Sequence, residues 1–142
     1  MKLAKVKIYN EKISKFLFNL RNKDYVRKNS INIKKINFFN HEKWFKNFLK
    51  KKNILYLIKE KNISVGYIRL EKLKGFFLVS WAILKKFQKK GYAKKSVMLS
   101  TNNKKFKYKA LVKKDNEISK YIVAKAKFKK KYSKKNIVYY SK

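Results

Sequence analysis

Six residues in the second half of the chain, Gln88-Lys89-Lys90-Gly91-Tyr92-Ala93, could hold a phosphate. They follow the apolar run Phe76 to Ile83, which reads as a central strand, and they lead into a segment that reads as a helix opening near Gly91. The first N–H groups of a helix have no acceptor within it, so a turn entering one can bind a phosphate or pyrophosphate. Gly91 would let the backbone approach a ligand or adopt a conformation closed to other residues. Ala93 keeps the next turn small, and Lys89, Lys90 and Lys94 add positive charge. The same pattern also fits an ordinary glycine at a helix start on a lysine-rich surface. What the chain lacks excludes other chemistry. There is no cysteine, so disulfides, thiolate chemistry and cysteine-based zinc sites are out, and His41 is the single histidine.

The elements that must position this turn belong to one domain, residues 1–142. That length suits a single domain, and 45% hydrophobic residues are enough for a core. Forty-two Lys and Arg against seven Asp and Glu give a net charge of +35. Only Arg21, Arg27 and Arg69 are arginines; the rest of the basic residues are lysines. Such a charge either marks a polyanionic partner or reflects a compositional bias acting on every tolerant surface position. A specific nucleic-acid site would be expected to lean on arginine, so no specific nucleic acid is expected as partner. No apolar run approaches a membrane span, and Met1 to Asn10 does not read as a secretory signal; the cytosol is the expected compartment.

Alternation over residues 3 to 9 predicts a strand, and Asn10 can cap a helix that carries Ile13, Phe16, Leu17 and Leu20 on one face. Val26 falls in a short helical turn. Asn40 can cap a helix with Trp44, Phe45, Phe48 and Leu49 on one side. Three antiparallel strands follow, Ile54 to Ile58, Val65 to Leu70 and Phe76 to Ile83, with a break at Lys72 to Gly75. Beyond Gly91 a helix would bury Ala93, Val97 and Ser100. Phe106 to Val112 alternates as a strand. Asp115 or Asn116 can cap a helix to about Lys127 with Ile118, Ile122 and Ala126 inward, and Phe128 to Tyr132 and Ile137 to Tyr140 read as strands. The order is a strand, two helices, three strands, a helix, a strand, a helix and two strands, a mixed α/β domain with helices covering the sheet.

Gln88, Gly91 and Ala93 match, in order, the Gln/Arg-x-x-Gly-x-Gly/Ala signature of the GNAT acetyltransferases, which the chain resembles. Asn116, Ser119, Lys125 and Phe128 keep the spacing of a second element of that superfamily. Arg21-Asn22, Val26-Arg27, His41, Trp44-Phe45 and Val65 to Arg69 resemble its nucleotide-amino-sugar members of the pseudaminic acid type. The resemblance spans roughly residues 3 to 133. It implies a GNAT-like α/β fold with a mostly antiparallel sheet, and acetyl-CoA as co-substrate. It further implies a small-molecule amine as acceptor, borne on a nucleotide sugar, and leaves room for a homodimer. Ile83 would pair with the pantetheine arm, Lys89 to Lys94 and Tyr92 would surround the pyrophosphate, and Asn116 and Ser119 would lie against the cofactor.

For the transfer itself the resemblance points to an oxyanion donor within Val79 to Ala82 and to Glu71 or His41 on the acceptor side. Glu71 could equally be a solvated turn residue and His41 a surface residue at a helix start. The Tyr that the superfamily commonly carries seven residues after the Asn is Val123 here, so Tyr92, Tyr121 or Tyr132, or water, would have to protonate the leaving thiolate. Lys127 stands at a usual Gly before Phe128, which calls for a different or strained helix ending. Two other readings stay open: a small basic nucleic-acid module that stacks bases on its interleaved aromatics, and a transferase acting on a protein terminus or another small amine.

Overall fold

Hairpin reversals at Lys61-Asn62 and Lys74-Gly75 fold the middle of the chain into consecutive antiparallel strands. The computed structural model describes residues 1–142. These strands are β2 (Ile54–Glu60), β3 (Ile63–Leu73) and β4 (Phe76–Ile83). β4 has the predicted bounds. β3 runs past the predicted break to Leu73, because Gly75 at φ +84° makes the reversal in two residues. β1 (Lys2–Lys5) pairs with β2, and β5 (Tyr108–Lys113) lies parallel beside β4. β6 (Lys129–Lys134) and β7 (Ile137–Ser141) complete a sheet ordered β1-β2-β3-β4-β5-β7-β6, antiparallel at every pairing except β4–β5.

Five helices cover both faces: α1 (Glu11–Arg21), α2 (Asp24–Lys28), α3 (Phe38–Lys50), α4 (Tyr92–Ser100) and α5 (Glu117–Lys125). On one face Leu17 and Leu20 of α1 and Phe45 and Phe48 of α3 pack on Leu55, Leu57, Tyr67 and Ala82. On the other, Val97 of α4 and Ile122, Val123 and Ala126 of α5 pack on Ile68, Leu70, Val79 and Ala110. Fully burying each such aliphatic side chain stabilises by roughly 1.5–3 kcal/mol. No helix is long and apolar enough to cross a membrane.

Several boundaries differ from the sequence reading. β1 stops at Lys5, because the chain must turn to enter α1; Val6 is buried but Ile8 is 78% exposed. Asn10 caps α1 as expected, accepting from the Ile13 N–H at 3.0 Å. The Val26 turn is a five-residue helix, α2, which makes three helices before the hairpins. Asn37, not Asn40, caps α3, and it does so by accepting from the Asn40 N–H at 2.8 Å. In α4 the buried residues are Ser96 and Val97, while Ala93 and Ser100 are half-buried. β5 begins at Tyr108, leaving Phe106 edge-on against Phe77. Ile118 is exposed, because the inward stripe of α5 is Ile122, Val123 and Ala126.

Gly66 is the one glycine within a strand. A Cβ there would sit 2.3 Å from the Ala82 carbonyl oxygen and 2.8 Å from Ile83 Cδ1. It lets the end of β4 close onto β3. Gly66→Ala is therefore expected to destabilise the fold by about 3 kcal/mol. Thermal denaturation should show this as a fall of roughly 10 °C for a chain of this size.

Across the α1–α3 interface the Glu42 carboxylate accepts from the Tyr9 hydroxyl and from the Ser14 hydroxyl, each at 2.6 Å. The bond to Glu42 is the largest cause raising Tyr9 to about 12, and bonding by Ser14 and Tyr9 lowers Glu42. A raised pKa means that the stability Tyr9 supplies is complete below its ordinary value of 10.0 and is lost as pH climbs through about 12. Melting curves of the wild type and Tyr9→Phe should differ at pH 8 and converge toward pH 12.

Lysine also occupies backbone positions that usually take other residues. Lys61, Lys89, Lys127 and Lys135 all have positive φ, from 55° to 71°. Lys127, where glycine was the expected residue, thus ends α5 in a left-handed conformation.

Candidate active site

β4 and β5 pair only at Phe77–Tyr108 and Leu78–Lys109. Beyond Leu78 the two strands part, and the wedge between them opens toward Ile83. The bonding alternation along β4 decides which groups face it. The Leu84 N–H donates to Val65 in β3, and the Phe77 N–H donates to Lys107 on the β5 side. Counting in twos from either end, Leu78, Ser80 and Ala82 turn their backbone groups to β3. Those of Val79, Trp81 and Ile83 turn into the wedge.

At its open end the wedge meets the turn singled out in the sequence. A single 3₁₀ turn (Lys85–Phe87) leaves β4, and Gly91 caps α4 at φ +84° and ψ 2°. Lys89 is left-handed too, at φ 63°. None of the six backbone N–H groups from Lys89 to Lys94 has an acceptor in the protein; the first bond of α4 is from Lys95 to the Gly91 carbonyl. These donors sit where the helix dipole is positive. A Cβ at Gly91 would find nothing within 4 Å, so the space in front of the turn is open. Gln88 folds back and donates through Nε2 to the Ile83 carbonyl at 3.4 Å.

A cleft of about 520 Å³ runs from this turn along the wedge. Ile83, Gln88, Lys89, Gly91, Tyr92, Ala93, Lys94, Asn116, Ser119 and Tyr121 all line it. Lys90 does not; its ammonium lies over the Phe87 ring, 5.6 Å from the centroid. Asn116 caps α5, accepting from the Ser119 N–H at 3.1 Å, and still borders the cleft. Tyr121, one of the candidate proton donors, borders it as well, while Val123 is fully buried in the core.

The far wall was not foreseen. Tyr25, Val26, Asn29 and Ser30, in and after α2, face the turn, and Trp81 lines the wedge. The Lys85 N–H donates to the Tyr25 hydroxyl at 2.8 Å and ties α2 to the end of β4. Burial raises the Tyr25 phenol. No local pattern marks α2 as a wall; that bond joins residues 60 positions apart.

The structure does not bring Glu71 or His41 to this cleft. Glu71 lies opposite Leu78, at the closed end of the wedge, and lines neither this cleft nor the second cavity below. His41 is not a surface residue: it is 2% exposed, among Phe18, Phe38, Trp44 and Phe45. Burial lowers its pKa, partly offset by the Ser14 backbone and the Glu42 carboxylate. It lines a separate cavity of about 120 Å³ on the α1–α3 face.

No protein-family model matches the chain, and neither does any curated protein. Solved structures do match. A GNAT-family acetyltransferase from Bacillus anthracis superposes with a TM-score of 0.76 at 17% identity, over 98% of this chain and 92% of that one. Spermidine N-acetyltransferase from Vibrio cholerae, in complex with CoA and spermine, gives 0.78 at 12%, over 98% and 92%. The N-acetyltransferase PseH from Campylobacter jejuni, in complex with acetyl coenzyme A, gives 0.72 at 15%, over 99% and 96%. At these identities the likeness establishes the fold: a GNAT-like mixed sheet flanked by helices.

Proposed function

We propose that this chain is an N-acetyltransferase that moves an acetyl group from acetyl-CoA to a primary amine, the amino group of a nucleotide-linked sugar. The observation that carries the reading is the row of six unpartnered N–H groups, Lys89 to Lys94, at the mouth of a strand wedge. That arrangement suits a diphosphate beside an extended arm. Spermidine N-acetyltransferase and PseH, which share the fold, are described with CoA or acetyl-CoA.

Acetyl-CoA would supply an activated acyl group and a thiolate leaving group. The residues then have separable tasks. Ile83 offers its backbone to the pantetheine arm, and Lys89 and Lys94 add charge beside the diphosphate. The N–H groups of Val79 and Trp81, directed into the wedge, can hold the developing oxyanion. Tyr121 borders the cleft as the proton donor to the departing sulfur. No carboxylate lines the cleft, so the amine proton leaves through water. Holding amine and thioester together supplies much of the rate.

The charge bears on the acceptor. A cleft with lysines and no carboxylate repels a polycation such as the spermine bound by the Vibrio enzyme. A sugar carrying two phosphates fits it better. The test incubates the protein with acetyl-CoA and UDP-amino sugars, peptides or small amines, and follows thiol release. Release with the nucleotide sugars is the expected result. Acetylation of peptides or free amines instead would overturn the acceptor, and no stabilisation by acetyl-CoA would overturn the enzyme.

A further inference from the structure

The cavity of about 120 Å³ on the α1–α3 face gathers Arg21, His41, Trp44, Tyr67 and Arg69. Two buried side-chain polar atoms in the molecule have no hydrogen-bond partner, Arg21 Nη1 and His41 Nε2, and both residues line this cavity. Buried polar groups are ordinarily satisfied, so a pair of orphans in one small space asks for a ligand.

Each guanidinium is held in place with donors to spare. Arg21 Nη2 donates to the Asn32 carbonyl at 2.9 Å. Arg69 Nε donates to Ser80 Oγ at 2.9 Å, and its Cζ lies 5.3 Å from the Trp44 ring centroid. No carboxylate lines the cavity, and Arg69 contributes to lowering the Arg21 pKa, after burial. Two fixed, like-charged forks facing one space are arranged to receive an anion. The composition agrees. Where this chain needs only positive charge it uses lysine, and two of its three arginines are here.

We propose that this cavity is an oxyanion subsite of the acceptor, in which Arg21 and Arg69 grip one carboxylate or phosphate group and His41 gains a proton from solvent as that group binds. The word acceptor rests on the transferase reading; the anion site does not. At about four water volumes, the cavity admits one such group and no nucleoside. Tyr67, which lines it, sits directly opposite Ala82, which lines the large cleft, so neighbouring residues on adjacent strands border the two spaces.

The sign of the proton linkage follows from the groups around His41. Arg21 from α1, Arg69 and Tyr67 from β3, and Glu42 beside it on α3 are the titratable and charged groups facing it. Burial keeps the ring neutral. An anion would favour the imidazolium, so binding raises the His41 pKa, takes up a proton and weakens as pH rises.

The chain has one histidine, so proton NMR of its imidazole reads the site directly. Methyl phosphate and acetate are titrated into the full chain without CoA. One of them is expected to shift the ring signals and move their titration midpoint up by about one unit. The probe that binds tighter tells phosphate from carboxylate. Arg21→Lys and Arg69→Lys keep the charge and lose the fork; each should weaken binding at least tenfold, and Ser80→Ala severalfold. Surface Lys131→Gln should leave it unchanged. The proposal is overturned if neither probe moves the imidazole, or if the Arg variants, checked by circular dichroism for folding, bind like the wild type. Anion binding without any acetyl transfer would sink the transferase reading and leave this site standing.

Discussion

Gly91→Val is expected to remove the stabilisation that acetyl-CoA confers. At a ligand concentration 100 times Kd, binding adds about 2.7 kcal/mol to the folded state, which is roughly 6–10 °C in Tm for a chain of this length. The variant should retain less than 2 °C of that shift, because affinity falls by about 100-fold. Two causes act together. A β-branched residue at φ +84° is strained, so the turn relaxes and its N–H groups lose their common aim. The new side chain also projects into space that the structure leaves open. That openness is why the fold should survive. Lys135→Gly is the matching control: it changes a left-handed position in the reversal between β6 and β7, outside the cleft, and should bind acetyl-CoA as well as the wild type. A full Tm shift in Gly91→Val would show that the turn does not seat the diphosphate.

Tyr121→Phe should lower kcat by about 100-fold and leave KM for acetyl-CoA within a factor of two, if its phenol protonates the leaving thiolate. Steady-state thiol release gives both constants. The ring stays, so packing is kept and only the proton is lost. Moving the tyrosine to position 123 would not help. Val123 has no exposed surface and packs in the larger core, where a phenol would cost about 1–3 kcal/mol in overpacking. Unchanged kcat would shift the acid role to water or to Tyr92, which borders the same cleft.

Local signals carried the middle of the chain well. β4 was legible to the residue, since a continuous apolar run bounded by Gly75 and a lysine turn admits few other readings. The opening of α4 at Gly91 was legible as a backbone requirement that glycine meets, and the cap of α5 was narrowed to Asp115 or Asn116, of which Asn116 makes the bond. Asn37 and Asn40 show the limit. Both can cap, and α3 starts at the one that brings Phe38 edge-on against Phe18, a contact no local pattern shows. Ile118 was misplaced because an apolar residue in the first turn of α5 looks like core; it borders the cleft instead. The residues of the second cavity stood out only through the resemblance; that they form one cavity could not be read. Arg21, His41 and Arg69 come from three elements and meet only once the sheet is assembled. Lysine on every outer face hid the contrast that usually separates a functional charge from a solvated one.

The left-handed lysines leave little slack. Each holds a conformation that costs a non-glycine residue about 1 kcal/mol, and there are four of them. A domain of this kind is typically stable by only about 5–15 kcal/mol. Lysine therefore occupies not only the surface but positions where the chain's own torsions favour glycine. Damage elsewhere that a glycine-bearing relative would absorb should bring this protein closer to unfolding.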